Sequence, residues 1–211
     1  MLAHQMKRAR PSSGLTLSFN TSAVANSNTI TIPAGALVGD LAVLFDQCFG
    51  GTTDVIPTGW TGIATATAGG AGSRGRISYK VLVGGDPGAS ITGLDATDED
   101  KVMLVFTPSA AIASVVASTW NIEATALDPA SQSVLASGQA TPLVVLGSSS
   151  VTGGTAAFAT ASPAFDATVA TADADLLVGY KIYNSSPADH TIDQNDLGNG
   201  QIPASGYLRV S

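Results

Sequence analysis

From Leu15 to Ser211 the chain falls into apolar runs of strand length, each cut short by Gly, Pro, Asn or Asp. This punctuation constrains the fold more than any other feature, because a run stopped after five to eight residues has no room for an ordinary helix. The segment RISYKVLV (76–83) alternates, with Ile77, Tyr79, Val81 and Val83 on one side and Arg76, Ser78 and Lys80 on the other. LLVGYKIY (176–183) does the same with Leu176, Val178, Tyr180 and Ile182 inward. Period-two alternation marks a half-buried strand. LAVLF (41–45) and KVMLVFT (101–107) are apolar on both faces, as central core strands are. LTLSFN, TITI, SVVASTWNI and the closing GYLRVS complete the clear set. Residues 108–116 have room for one helical turn after Pro108, but Val115 and Val116 favour a return to strand. Many short strands joined by turn chemistry predict an all-β chain, an antiparallel jelly-roll-like β-sandwich.

A single sandwich domain is expected over residues 14–211, preceded by a short arm, residues 1–13. GSSSVTGGT (147–155) is the best candidate for a flexible stretch, and the irregular region 127–164 reads as one long excursion between strands. GDLAVLF (39–45) and ADLLVGY (174–180) echo one another, each with Asp at a turn before a buried strand, which suits two equivalent strands.

Charged residues make up 12% of the chain, about half the usual share, which suits a surface covered by neighbouring subunits and equally a secreted β protein rich in Thr, Ser and Ala. The formal net charge of −7 is uneven. Lys7, Arg8 and Arg10 stand in the arm with no acid beside them, leaving six basic and sixteen acidic residues in the body, a balance of −10. An acidic body repels phosphate backbones and argues against nucleic-acid binding. The arm, by contrast, is suited to dock on an acidic protein patch. The start MLAHQMKRAR lacks the apolar run of a signal peptide, and no apolar stretch reaches membrane-span length. Cys48 is alone in an apolar strand, so it is expected to be a buried thiol.

Chemistry-bearing motifs are sparse. Two histidines, His4 and His190, and one cysteine do not make a nitrogen and sulfur metal site. No serine lies in a G-x-S-x-G elbow, and no G-x-x-x-x-G-K-[ST] loop occurs. DATDED (95–100) offers Asp95, Asp98, Glu99 and Asp100 as oxygen ligands for calcium, but reads more simply as a solvated loop before a strand. DQNDLGNG (193–200) offers Asp193, Asn195 and Asp196 as weak candidates, with Leu197 where a further ligand should stand. No cofactor is expected. Trp60, Tyr79, Tyr183 and His190 are the residues from which a sugar-stacking platform would be built, although Trp60 is better suited to plug one end of the sandwich and Trp120 to the core. Asp pairs suited to hydrolysis remain a third possibility.

The order TITIPAGALVGDLAVLF, VIPTGWT (55–61), RISYKVLV, STWNI and ASGYLRVS resembles a group of phage and prophage accessory virion proteins with a lectin-like jelly-roll sandwich. The resemblance spans most of residues 29–211, excludes the arm and is weakest over 127–164. It implies a non-enzymatic virion protein made in the host cytoplasm: a head decoration, or a spike or fibre component of head or tail. Its expected partners are further copies of itself and capsid, portal or tail subunits. The alternative is a carbohydrate-binding adhesin that meets a host surface glycan. The resemblance brings no catalytic residues with it.

Overall fold

The computed structural model describes residues 14–48, 56–67, 74–94, 99–122, 131–151, 154–194 and 203–211. The described residues form strands and no helix. In chain order these are β1 (Leu17–Ala25), β2 (Ile30–Thr31), β3 (Leu41–Cys48), β4 (Thr61–Thr67), β5 (Arg74–Val81), β6 (Ser90–Ile91), β7 (Glu99–Pro108) and β8 (Val115–Ala117). They continue with β9 (Asn121–Ile122), β10 (Gln132–Val134), β11 (Leu143–Ser150), β12 (Phe158–Ser162), β13 (Ala167–Ala170), β14 (Leu176–Tyr183), β15 (His190–Gln194) and β16 (Ala204–Val210). Among them no helix is long and apolar enough to cross a membrane.

Two antiparallel sheets pack face to face, in the order β1-β7-β3-β5-β4 and β13-β14-β11-β16-β8, with β9 also on β16. Their shared core takes Leu41, Val43, Phe45, Leu104 and Phe106 from the first sheet and Val144, Leu146, Val178, Tyr180 and Leu208 from the second. The outer faces are also covered. The β2–β6 pair lies over Ala42, Leu44, Met103 and Val105, with Trp60 beside them. A three-stranded sheet, β10-β15-β12, lies over Leu143, Val145 and Tyr183. Four layers explain why β3, β7 and β11 carry apolar residues at successive positions: both faces of these strands leave water.

The antiparallel β-sandwich expected from the sequence is therefore present, with a particular topology. Its strands do not alternate between the sheets along the chain, as those of a jelly roll do. The first sheet uses residues 17–108 and the second residues 115–210. The halves are built alike: β1-β7-β3-β5-β4 matches β8-β16-β11-β14-β13 in chain order, and the β2–β6 cover matches β10–β15. Pairings match as well. Tyr79 faces Val43 as Tyr180 faces Leu146, and Ile91 faces Ile30 as Ile192 faces Gln132. The Ser109 amide donates to Thr16 O at 2.9 Å as the Ser211 amide donates to Ser114 O at 3.0 Å.

This register aligns YKVLVGGDPGASI (79–91) with YKIYNSSPADHTI (180–192). A left-handed residue falls at the same place in both turns, Gly85 at φ 91° and Ser186 at φ 48°. The echo between residues 39–45 and 174–180 is thus not the repeat: β3 corresponds to β11, and β14 corresponds to β5.

Two further expectations are corrected. Residues 147–150 are no linker; they lie in β11, buried at the centre of the second sheet. The region 127–164 is no single excursion, since it contains β10, β11 and β12. Ser148 is compatible with burial because neighbouring backbone occupies it: its Oγ accepts the Ala204 amide at 3.1 Å. Cys48 is buried, as expected. Residues 108–116 form no helical turn and lead extended into β8.

Candidate functional site

The two sheets are tied together at each end by polar side chains. At one end Asn184 clamps the start of β1: its Oδ1 accepts the Leu17 amide at 2.7 Å and its Nδ2 donates to Leu17 O at 2.9 Å. At the other end three carboxylates meet. Asp100 opens β7, while Asp173 and Asp175 lie in the tight turn between β13 and β14. One oxygen from each lies within 4.8 Å of the others.

The turn is made by its own sequence. The Thr171 amide donates to Leu176 O at 2.9 Å, and Thr171 Oγ1 accepts the Leu176 amide at 3.1 Å. Asp173 Oδ1 accepts the Asp175 amide at 3.2 Å, the local bond that makes Asp a turn former. Asn26, just past β1, bridges the halves by donating from Nδ2 to Asp100 Oδ1 at 3.2 Å and to Asp173 Oδ2.

Burial raises the Asp100 carboxyl to about 7, and the negative charges of Asp173 and Asp175 push the same way, against a hydrogen bond from Thr171. Such a trio has two ways to lower its repulsion. A proton on Asp100 is one. The other is a hard divalent cation, for which Asp100, Asp173 and Asp175 supply the oxygen chemistry. Two of the three acids, Asp100 and Asp173, are bridged by the single side-chain amide of Asn26.

The chain matches no family model, no curated protein and no solved structure.

The residues singled out from sequence are dispersed. Trp60 is buried in the apolar cluster on the outer face of the first sheet, not in the inter-sheet core that a plug of the sandwich would close. Tyr79 is half-buried at the central core and its hydroxyl donates to Val115 O at 3.5 Å. Tyr183 and His190 do meet, with Tyr183 Oη 2.8 Å from His190 Nε2, but inside the third apolar cluster. The structure thus brings together only two members of the imagined sugar platform and buries both. Trp120 packs at the edge of the central core, as expected.

Asp193 lies half-buried on β15; Asn195 and Asp196 fall outside the described residues, as do Lys7, Arg8 and Arg10. Of DATDED, Asp95 and Asp98 also fall outside, while Glu99 and Asp100 begin β7. Asp100 is not the solvated acid expected of that loop, because the opposite sheet closes over it. Asp173 and Asp175 stand more than seventy positions away, and their only sequence signal is a pair of acids two apart at a turn.

A small cavity between the sheets, lined by Phe45, Ile77, Ile122 and Ala204 with Gln47 and Ser148, has room for about one water.

Proposed function

We propose that this chain is a non-enzymatic structural protein that works by surface contact. In this reading it assembles as an oligomer on a phage-like particle, as a head decoration or a spike or fibre component, with residues 1–10 docking on a capsid, portal or tail partner. The observation that carries the reading is an apolar tip on the first half. Leu37 and Val38, in the turn before β3, are 57% and 66% exposed, and Val83, just after β5, is 54% exposed. They lie together, because the Gly39 amide donates to Leu82 O and the Leu82 amide to Asp40 O, both at 2.8 Å.

The tip is rigid. Asp40 Oδ2 accepts the Leu37 amide at 2.9 Å and the Asn20 side chain at 2.8 Å. Asp86 accepts the Val83 amide at 2.7 Å and pairs with Lys80 at 2.6 Å. The fold does not demand apolar residues there. The second half, with the same topology, carries Gln139, Ala140 and Thr141 in the first turn and Asn184 in the second. Exposed apolar residues that the scaffold does not need support a contact role.

The test is the mass of the full chain by light scattering after gel filtration, beside a variant carrying Leu37→Ser, Val38→Ser and Val83→Ser. The native chain is expected to be oligomeric and the triple variant to fall toward monomer with its circular dichroism unchanged. A monomeric native chain at micromolar concentration overturns the assembly. Deleting residues 1–10 is expected to leave a folded protein that no longer joins particles; full incorporation of the truncated chain overturns the docking arm.

A further inference from the structure

The outer cover of the second half holds a buried titratable pair that the matching cover of the first half lacks. His190 opens β15, the middle strand of the cover, and is 1% exposed. Its Nε2 lies 2.8 Å from Tyr183 Oη on β14, the strand being covered. Its Nδ1 has no hydrogen-bond partner among the described residues. Phe165 lies alongside the imidazole, ring centroids 6.3 Å apart. Val134 faces His190 across the β10–β15 ladder, and Ile192, two residues on, fills the apolar cluster beneath. In the first half the aligned positions are Leu82 for Tyr183 and Ala89 for His190. A cover of this design therefore closes on apolar contact alone.

We propose that the β10-β15-β12 sheet is an acid-released cover, with His190 as its trigger, which lifts from the second sheet when the imidazole takes up a proton. A second proton puts a charge and an unmatched Nδ1–H into an apolar layer. The charged groups around it do not compensate. Lys181 on β14 is repulsive, and Arg209 on β16 is a further cation on the same face of the covered sheet. Asp166 is held by Lys181 Nζ at 2.5 Å and by the Ile182 amide at 2.8 Å. Asp189 accepts the Ser137 amide at 2.7 Å. Asp193 on β15 alternates to the opposite face from His190. The remaining titratable neighbours are Tyr183, whose hydroxyl burial holds above the usual range, and Tyr207.

The direction of the imidazole pKa agrees. Burial, the largest cause, and Lys181 lower it, against weaker opposing effects of Asp166 and Asp189. A histidine whose pKa is below 6.5 when closed and ordinary when released binds more protons in the released state. Closure is therefore favoured above that pH and weakens as pH falls below it.

The test is hydrogen exchange read by mass spectrometry on the full chain at about pH 7.5 and about pH 5, corrected for the intrinsic pH dependence of exchange. In the native chain, protection of residues 132–134 and 190–194 is expected to fall at least about tenfold more on acidification than that of β3 and β7. Two variants accompany it. Tyr183→Leu with His190→Ala recasts the second cover on the pattern of the first. His190→Gln keeps a polar partner for Tyr183 but does not titrate. Both are expected to lose the selective acid response. Equal protection of the cover at both pH values in the native chain overturns the proposal, as does a selective acid loss that persists in both variants.

Discussion

Asp100 shows how a single carboxyl becomes a pH-dependent element of the fold. Its pKa is raised from 3.8 to about 7, so its contribution to stability is fully present below about 4 and is lost as pH rises through about 7. Asp100→Asn is therefore expected to raise the melting temperature at pH 8 by roughly 2–4 °C, discounted for partial exposure, and to give no gain at pH 4. Differential scanning fluorimetry across that range checks it. Loss of the gain at pH 8 on adding calcium chloride would show a cation standing in for the proton. Gly206, on β16, is a residue-scale constraint of another kind. A Cβ there would lie 2.6 Å from the Trp120 ring, so Gly206→Ala is expected to cost about 1–3 kcal/mol, read as a lower urea midpoint.

Among the elements, β3 and β7 are joined by more than their ladder. Lys101 is fully buried and its Nζ lies 3.3 Å from Asp46 Oδ1, on the strand alongside. Asp46 faces Lys101 on one side and Arg76 on the other. Lys101→Met breaks this buried pair while Arg76 stays beside Asp46, so its cost in chemical denaturation is expected to fall below the about 3–5 kcal/mol of a fully orphaned buried charge. These two strands were legible in the sequence because their apolar residues run without alternation; RISYKVLV was legible as a strand, but its expected faces do not hold, since Arg76 and Ser78 are buried and Val83 is exposed past its end. β11 was not legible: PLVVLGSSS ends in residues that in most chains mark a loop, and only the Ala204 backbone across the ladder makes Ser148 a core residue. The carboxylate cluster was illegible for a related reason. Its members come from different halves, and nothing local in DATDED or in the β13–β14 turn says that one closes over the other. The aromatic candidates misled because Trp60 and Tyr183 suit a buried outer layer as well as an exposed platform, and a four-layer stack offers more buried surface than a two-layer one.

At the scale of the whole molecule, the halves share one core, with Leu41, Val43 and Phe106 from the first packed against Val144, Leu146 and Leu208 from the second. Neither half has its inner face covered without the other. A single calorimetric transition is expected, with van't Hoff and calorimetric enthalpies in agreement, and two separated transitions would show independent halves. The likeness of the halves has a further consequence. A sheet clothed on one side and bare on the other is a complete building block only when a twin faces it, which is the logic of a symmetric pair of identical chains. Tethering the twins in one polypeptide releases them from having to be identical. One has gained a greasy prow in Leu37, Val38 and Val83, the other a histidine latch, and neither change had to be tolerated twice.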